Sequence, residues 1–290
     1  MHKRNFLWAS GLPLMSLWTG NTLAAEPLQV TASFSILGDL LAVVGADRVR
    51  VTTLVGADED AHLFAPSAMD AKRLLTAKLL VSNGLGFDPW ATKLSRAAGF
   101  KGLAVQASQG VQQEGHDPHA WQNPQNVLLY VRNIAQALSQ VDPAGAGFYQ
   151  ANAAQYTQQL LALDQWAKEQ FAAIPIERRT VITSHDAFGY FARHYGLQFL
   201  APVGISTESE PSARQLAQLI RLIQREKIKT LFVESMSNPR LLEQISRETG
   251  ATMGARLYSD ALSKPGEPGS SYLLMVRHNV TQLAAGMQRN

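Results

Sequence analysis

The chain has 290 residues, 26 Lys and Arg against 23 Asp and Glu, 46% hydrophobic residues and no cysteine. The missing cysteine excludes disulfides, thiolate metal ligands, cysteine nucleophiles and a lipid-bearing thiol. Nearly balanced charge, with no run of Lys and Arg interleaved with aromatics, gives no electrostatic footprint for nucleic acid.

The first residues, Met1, His2, Lys3 and Arg4 followed by FLWASGLPLMSLW, have the layout of a secretory signal. The apolar stretch is shorter than the roughly 18 residues a membrane-spanning helix needs. Thr22, Ala24 and Ala25 offer a cleavage site, so residues 1–25 read as signal and the mature chain starts near Glu26. No later hydrophobic run has membrane length. The expected product is free in a bacterial periplasm, without a membrane anchor of its own, and monomeric.

From residue 26 onward, short β-branched runs alternate with segments of helical spacing, which predicts an α/β fold with mainly parallel sheets. LQVTASF (28–34), VRVTTLV (49–55), KLLVSNG (78–84) and KGLAVQ (101–106) read as strands, with helices at 36–45, 67–76 and 87–98. Asn123 or Pro124 opens the next helix. A second set, RTVITS (179–184), LQFLAPVG (197–204), KTLFVE (229–234) and ATMGARL (251–257), is separated by helices near 186–195, 211–226 and 238–248. Between the sets, residues 144–173 are rich in Ala, Gln and Leu with no internal proline, and read as one helix about 45 Å long. The expected organisation is an N-terminal lobe (26–143), a connecting helix (144–173) and a C-terminal lobe (174–290). A helical link is stiff where a Gly/Ser linker would swing.

Seven histidines occur, and their contexts differ. His2 lies in the signal; His194 and His278 lie in amphipathic helices and read as packed or solvated side chains. His62 lies in a Gly- and Asp-rich loop leaving the strand that ends at Val55. His119 lies in HDPHAWQNPQNV, ahead of a helix, and His185 directly follows VITS. Asp260, in LYSDALSKPGEPG, follows the last predicted strand.

Ligands of open α/β sheets collect beyond the strand C-termini, which makes these four residues the candidate metal-binding set. Taken singly, each histidine has a structural reading too. Separations of 57, 66 and 75 residues exclude a local zinc-finger clip, so folding must bring the four together. Neutral imidazoles suit zinc, manganese and ferrous iron, whereas Cu(I) would want sulfur.

The motifs AHLFAPSA, DPHAWQNP, TSHDAFGYFARHYG with VGISTESEPSARQL, and LYSDALSKPGEP resemble those of the zinc/manganese solute-binding proteins of bacterial ABC importers. The likeness spans nearly the whole chain after residue 25. It implies two α/β lobes joined by a rigid helix, a metal held between them, and delivery to an inner-membrane permease powered by a cytoplasmic ATPase. Carried over by position, it implies that His62 and His119 are ligands from the first lobe, and His185 and Asp260 from the second. Ala61 replaces the proline often found before the first ligand histidine. Manganese-specialised members commonly have Glu at the third position, where this chain has His185. Zinc-specialised members often carry a long His-rich loop between the first two ligands, where this chain has only His116. The reading is one Zn²⁺ per chain, with Mn²⁺ and then Fe²⁺ as alternatives.

Asp117, Trp121, Ser184 and Asp186 are the candidates to orient the ligand imidazoles. Glu208 and Glu210 either touch the permease or precede a helix starting at Pro211. An exported metal buffer or adhesin with this fold is the nearest rival function. A metallohydrolase fits less well, because no HExxH motif occurs and four protein ligands leave zinc no open position. NGLGFDP (83–89) lacks the third glycine of a dinucleotide motif and reads as a strand-to-helix turn.

Overall fold

The computed structural model describes residues 26–290, so the expected signal at residues 1–25 lies outside it. The first lobe is built on a sheet of four strands, β1 (Leu28–Phe34), β2 (Val49–Val55), β3 (Leu79–Ser82) and β4 (Leu103–Gln106), in the order β2-β1-β3-β4. The second sheet, β5 (Thr180–Ile182), β6 (Gln198–Leu200), β7 (Thr230–Leu231) and β8 (Thr252–Met253), has the order β6-β5-β7-β8. Every pairing in both sheets is parallel. Strand C-termini in such a sheet all point the same way, so the loops that follow them share one edge.

Helices α1 (Ser35–Gly45), α2 (Ala68–Thr76), α3 (Pro89–Ala98) and α4 (Pro124–Val141) belong to the first lobe, and α6 (Gly189–Tyr195), α7 (Ala213–Glu226), α8 (Arg240–Thr249) and α9 (Tyr272–Met287) to the second. Local chemistry fixes their ends. Ser67 and Asp70 form a reciprocal capping box on α2, as Ser212 and Gln215 do on α7. Asn123 caps α4 with Pro124 in its first turn. α7 therefore begins at Ala213, two residues after the expected Pro211, because Ser212 is taken up as its cap.

The long helix α5 (Ala146–Ala172) runs about 40 Å. Its buried residues Tyr149, Ala153, Tyr156, Leu160, Leu163, Ala167 and Phe171 recur at three- and four-residue intervals and make one apolar stripe. That stripe lies against α4, α1 and α9. A single apolar core passes from the first sheet through α4 and α5 to Phe188, Phe232, Leu257 and Val280 of the second lobe. A separate cluster, including Ile182, Ile223, Leu231, Leu242 and Ile245, fills the space under α7 and α8.

The segment between β8 and α9, with Tyr272 at the start of α9, lies across the first lobe. Asp58 N–H donates to Leu262 O at 2.9 Å, Leu262 N–H to Ser35 Oγ at 2.9 Å, and Tyr272 N–H to Asp39 Oδ2 at 2.8 Å. Trp121 Nε1–H and Gln122 Nε2–H both donate to Ser259 O, at 2.8 and 2.7 Å, and Tyr272 O–H donates to Trp121 O at 2.7 Å.

Several strands are shorter than their apolar runs. β3 stops at Ser82 because the Asp88 carboxylate accepts from Asn83 N–H and Gly84 N–H, at 2.7 and 3.1 Å, and bends the chain into α3. In the second lobe, β5 and β7 continue past their ends only as single bridges, His185 with Val203 and Glu234 with Leu257. Those bridges carry the sheet up to the site.

Candidate metal centre

Each candidate side chain stands on a loop beyond a strand C-terminus. His62 follows β2, and its backbone N–H donates to Asp60 Oδ1 at 2.9 Å. His119 lies between β4 and α4, where Asp117 Oδ1 meets both its backbone N–H at 3.0 Å and its Nδ1 at 2.8 Å. His185 follows β5, and Asp260 follows β8.

The structure brings all four together: one potential ligand atom from each lies within 4.8 Å of the others. His62 Nε2 is 3.4 Å from His119 Nε2 and 3.3 Å from Asp260 Oδ2. His185 Nε2 is 3.1 Å from Asp260 Oδ2, and His119 Nε2 is 3.6 Å from Asp260 Oδ1. His119, His185 and Asp260 are buried, while His62 is partly exposed. A groove lined by His62, Phe87, His116, Ile205 and Glu208 approaches it from outside. Rings close the other sides: Phe87 stands edge-on to His62 with centroids 4.9 Å apart, and Trp121 edge-on to His119 at 5.3 Å.

Asp117 therefore orients His119, as its place in the sequence suggests. Trp121, Ser184 and Asp186 do not act in that way. The Trp121 indole N–H goes to Ser259 O, and Ser184 Oγ accepts Glu234 N–H at 3.2 Å. Asp186 is exposed, as alternation along an extended chain turns the neighbours of His185 away from it.

The partner of His185 is Glu234, a residue the sequence reading passed over as the end of a strand. Its Oε1 accepts His185 N–H at 3.0 Å, and its Oε2 lies 2.5 Å from Nδ1, off the N–H direction of the ring. Oε2 also accepts Ser259 O–H at 2.6 Å, next to Asp260. The available signal was a lone acid closing the apolar run KTLFV at the same sheet edge as His185.

Burial alone would push the Asp260 carboxyl up, but the His119 and His185 imidazoles hold it well below the usual carboxylate range. Burial alone would lower both histidines, yet Asp260 with Asp117 raises His119, and Glu234 with Asp260 raises His185 well above the ordinary value. Asp260 Oδ1 is buried without a hydrogen-bond partner. A carboxylate oxygen in that position needs a positive partner, since leaving it unpaired costs about 1–3 kcal/mol. Three imidazole nitrogens and this carboxylate fit a divalent transition metal.

Two lobes with parallel sheets meeting at a convergent, largely buried imidazole and carboxylate cluster define a two-lobed metal-binding receptor. Residues 30–286 match the family described as zinc-uptake complex component A, periplasmic, and the chain belongs to that family. It is 32% identical to a manganese ABC transporter substrate-binding lipoprotein of Streptococcus pneumoniae, across 96% of this chain and 95% of the relative. It is 33% identical to a metal ABC transporter substrate-binding lipoprotein of Streptococcus parasanguinis, across 92% and 91%. Among solved structures, the periplasmic zinc-binding protein TroA of Treponema pallidum superposes with a TM-score of 0.85 at 27% identity, covering 90% of this chain and 99% of that one. The manganese-bound periplasmic metal-binding protein of Candidatus Liberibacter asiaticus gives 0.80 at 30% identity, with the same coverage. The chain is thus a metal-binding substrate-binding protein of ABC transporters, in a family of solute receptors rather than enzymes. Among the described residues no helix is long and apolar enough to cross a membrane.

Proposed function

We propose that this chain binds one Zn²⁺ through His62, His119, His185 and Asp260, as a monomer free in the periplasm, and hands it to an ABC permease. The convergence of the four donor side chains carries this reading. Donors about 2.0–2.1 Å from a tetrahedral zinc ion lie about 3.3–3.4 Å apart. The separations of 3.4 Å between His62 and His119, 3.3 Å between His62 and Asp260 and 3.1 Å between His185 and Asp260 lie near that edge, within a donor set that spans no more than 4.8 Å. Three imidazoles and one carboxylate also favour zinc over manganese by the usual divalent order. Free rather than lipid-anchored export is supported by the absence of cysteine in these 290 residues.

The same reading divides the chain into a lobe at 26–143 supplying His62 and His119, a connecting segment at 144–173, and a lobe at 174–290 supplying His185 and Asp260. The test is elemental analysis of protein recovered from its own compartment, followed by competition titration with zinc and manganese. Zinc at one equivalent, retained against manganese, is the expected result. Manganese retained against stoichiometric zinc overturns the choice of metal, as the names of several relatives would then foreshadow.

A further inference from the structure

Asp164, near the middle of the buried stripe of α5, is only 2% exposed and far from the four candidate ligands in sequence. It accepts hydrogen bonds from three helices. Gln125 Nε2–H of α4 donates to Oδ2 at 2.7 Å, and Lys168 Nζ of α5 to the same oxygen at 2.8 Å. From α6, His194 Nε2 approaches Oδ1 at 2.6 Å and Tyr195 O–H donates to it at 3.0 Å. Burial alone would raise this carboxyl, but His194, Lys168 and Gln125 hold it far below the usual range, so it is a charged acceptor.

The two helices it joins are those that leave the site. α4 starts at Pro124, just after the loop of His119, and Gln125 is in its first turn. α6 starts at Gly189, just after His185, and His194 and Tyr195 form its last turn. Any tilt of α6 against α4 must therefore break bonds to a buried charge, which is among the costlier contacts to leave unmade.

Taking the metal-carrier reading as its basis, we propose that Asp164 is a positioning residue that fixes the His119 loop relative to the His185 loop and so slows release of the bound ion. It touches no ligand; it acts through the two helices. Removing it leaves the first coordination sphere intact but lets the two halves of that sphere drift.

The test is stopped-flow release of Zn²⁺ to a chromogenic chelator from the whole chain. Asp164→Asn should speed release about three- to thirty-fold. Gln125→Ala and Tyr195→Phe, each removing one donor, should give smaller increases in the same direction and keep the proposal testable if Asp164→Asn does not fold. Asp142→Asn is the control. Asp142 gathers Arg48 and Tyr149 in a comparable way at the far end of α4, so its loss should lower the melting temperature without changing release. Release rates in the Asp164, Gln125 and Tyr195 variants that match wild type, or follow melting temperature as Asp142→Asn does, overturn the proposal while the carrier reading stands. Wild-type protein that binds neither Zn²⁺ nor Mn²⁺ overturns the carrier reading itself, and this inference with it.

Discussion

Glu234 holds His185 by two atoms at once, accepting its backbone N–H at 3.0 Å through Oε1 and standing 2.5 Å from its Nδ1 through Oε2. One buried carboxylate thus fixes where this residue's backbone sits and sets a negative charge behind its ring.

Replacing Glu234 by Ala should weaken zinc binding about ten- to a hundred-fold, the usual cost of removing a carboxylate behind a ligand imidazole. Competition against a chelator of known affinity measures it. His185→Ala should cost more than Glu234→Ala, whereas His278→Ala, whose Nε2 meets only Arg256 O at the surface, should leave affinity unchanged. Equal losses from His185→Ala and His278→Ala would sink the site.

The pH dependence has opposite signs with and without metal. In the metal-free fold His119 and His185 are raised above 6.5, so their contribution to stability is complete below that value and is lost as pH rises through their folded pKa values. Asp260 is lowered, so its contribution holds above 3.8 and is lost only on strong acidification. The ion needs neutral imidazoles and competes with their protons. From about pH 6 to about pH 9 the metal-free melting temperature should therefore fall while the increase on adding zinc grows. Calorimetric scans with and without zinc check both trends; a zinc-induced increase that is flat in pH would contradict the assignment.

Gly189 is the first residue of α6, and a Cβ there would lie 2.3 Å from Asp117 Oδ2, the carboxylate that orients His119. Gly189→Ala should gain helix propensity, about 1 kcal/mol at most. It should nevertheless weaken zinc binding by about ten-fold through displacement of Asp117. Calorimetric titration beside a thermal melt separates the two effects. Unchanged affinity would mean that Asp117 can retreat without disturbing His119.

Trp121 is fully buried, with its ring 5.3 Å from that of His119. Trp121→Phe removes one of the two N–H groups on Ser259 O, and Gln122 keeps that oxygen paired, so the cost should be only about 0.5–1.5 kcal/mol for the bond itself. The variant should still bind zinc but lose most of the metal-dependent change in tryptophan fluorescence. A full-sized change in the variant would assign it instead to Trp90 or Trp166.

The β-branched runs and the positions of His62, His119, His185 and Asp260 after them were readable because parallel strands impose a common edge. The second lobe was less readable in detail. Its apolar runs near Phe232 and Leu257 are core residues that continue beyond the two-residue strands β7 and β8, and hydrophobicity reports burial rather than ladder pairing. Asp117 was found because it is two residues from the histidine it serves. Glu234 is 49 residues from His185, and only the sheet order β6-β5-β7-β8 makes them neighbours. Asp164 was invisible for the same reason, since a lone acid on a long helix looks like a solvated one until α4 and α6 are folded over it.

The segment between β8 and α9, together with Tyr272 at the start of α9, is hydrogen-bonded to Ser35, Asp39, Asp58, Trp121 and Gln122, all in the first half of the chain. Covalent continuity through α5 is therefore not the only thing joining the halves. Two separately translated fragments, 26–173 and 174–290, should find each other and copurify. In such a pair Ser259 would stay bonded to Trp121 and Gln122, and α6 to Asp164, so both halves of the ligand set would be held without the peptide link.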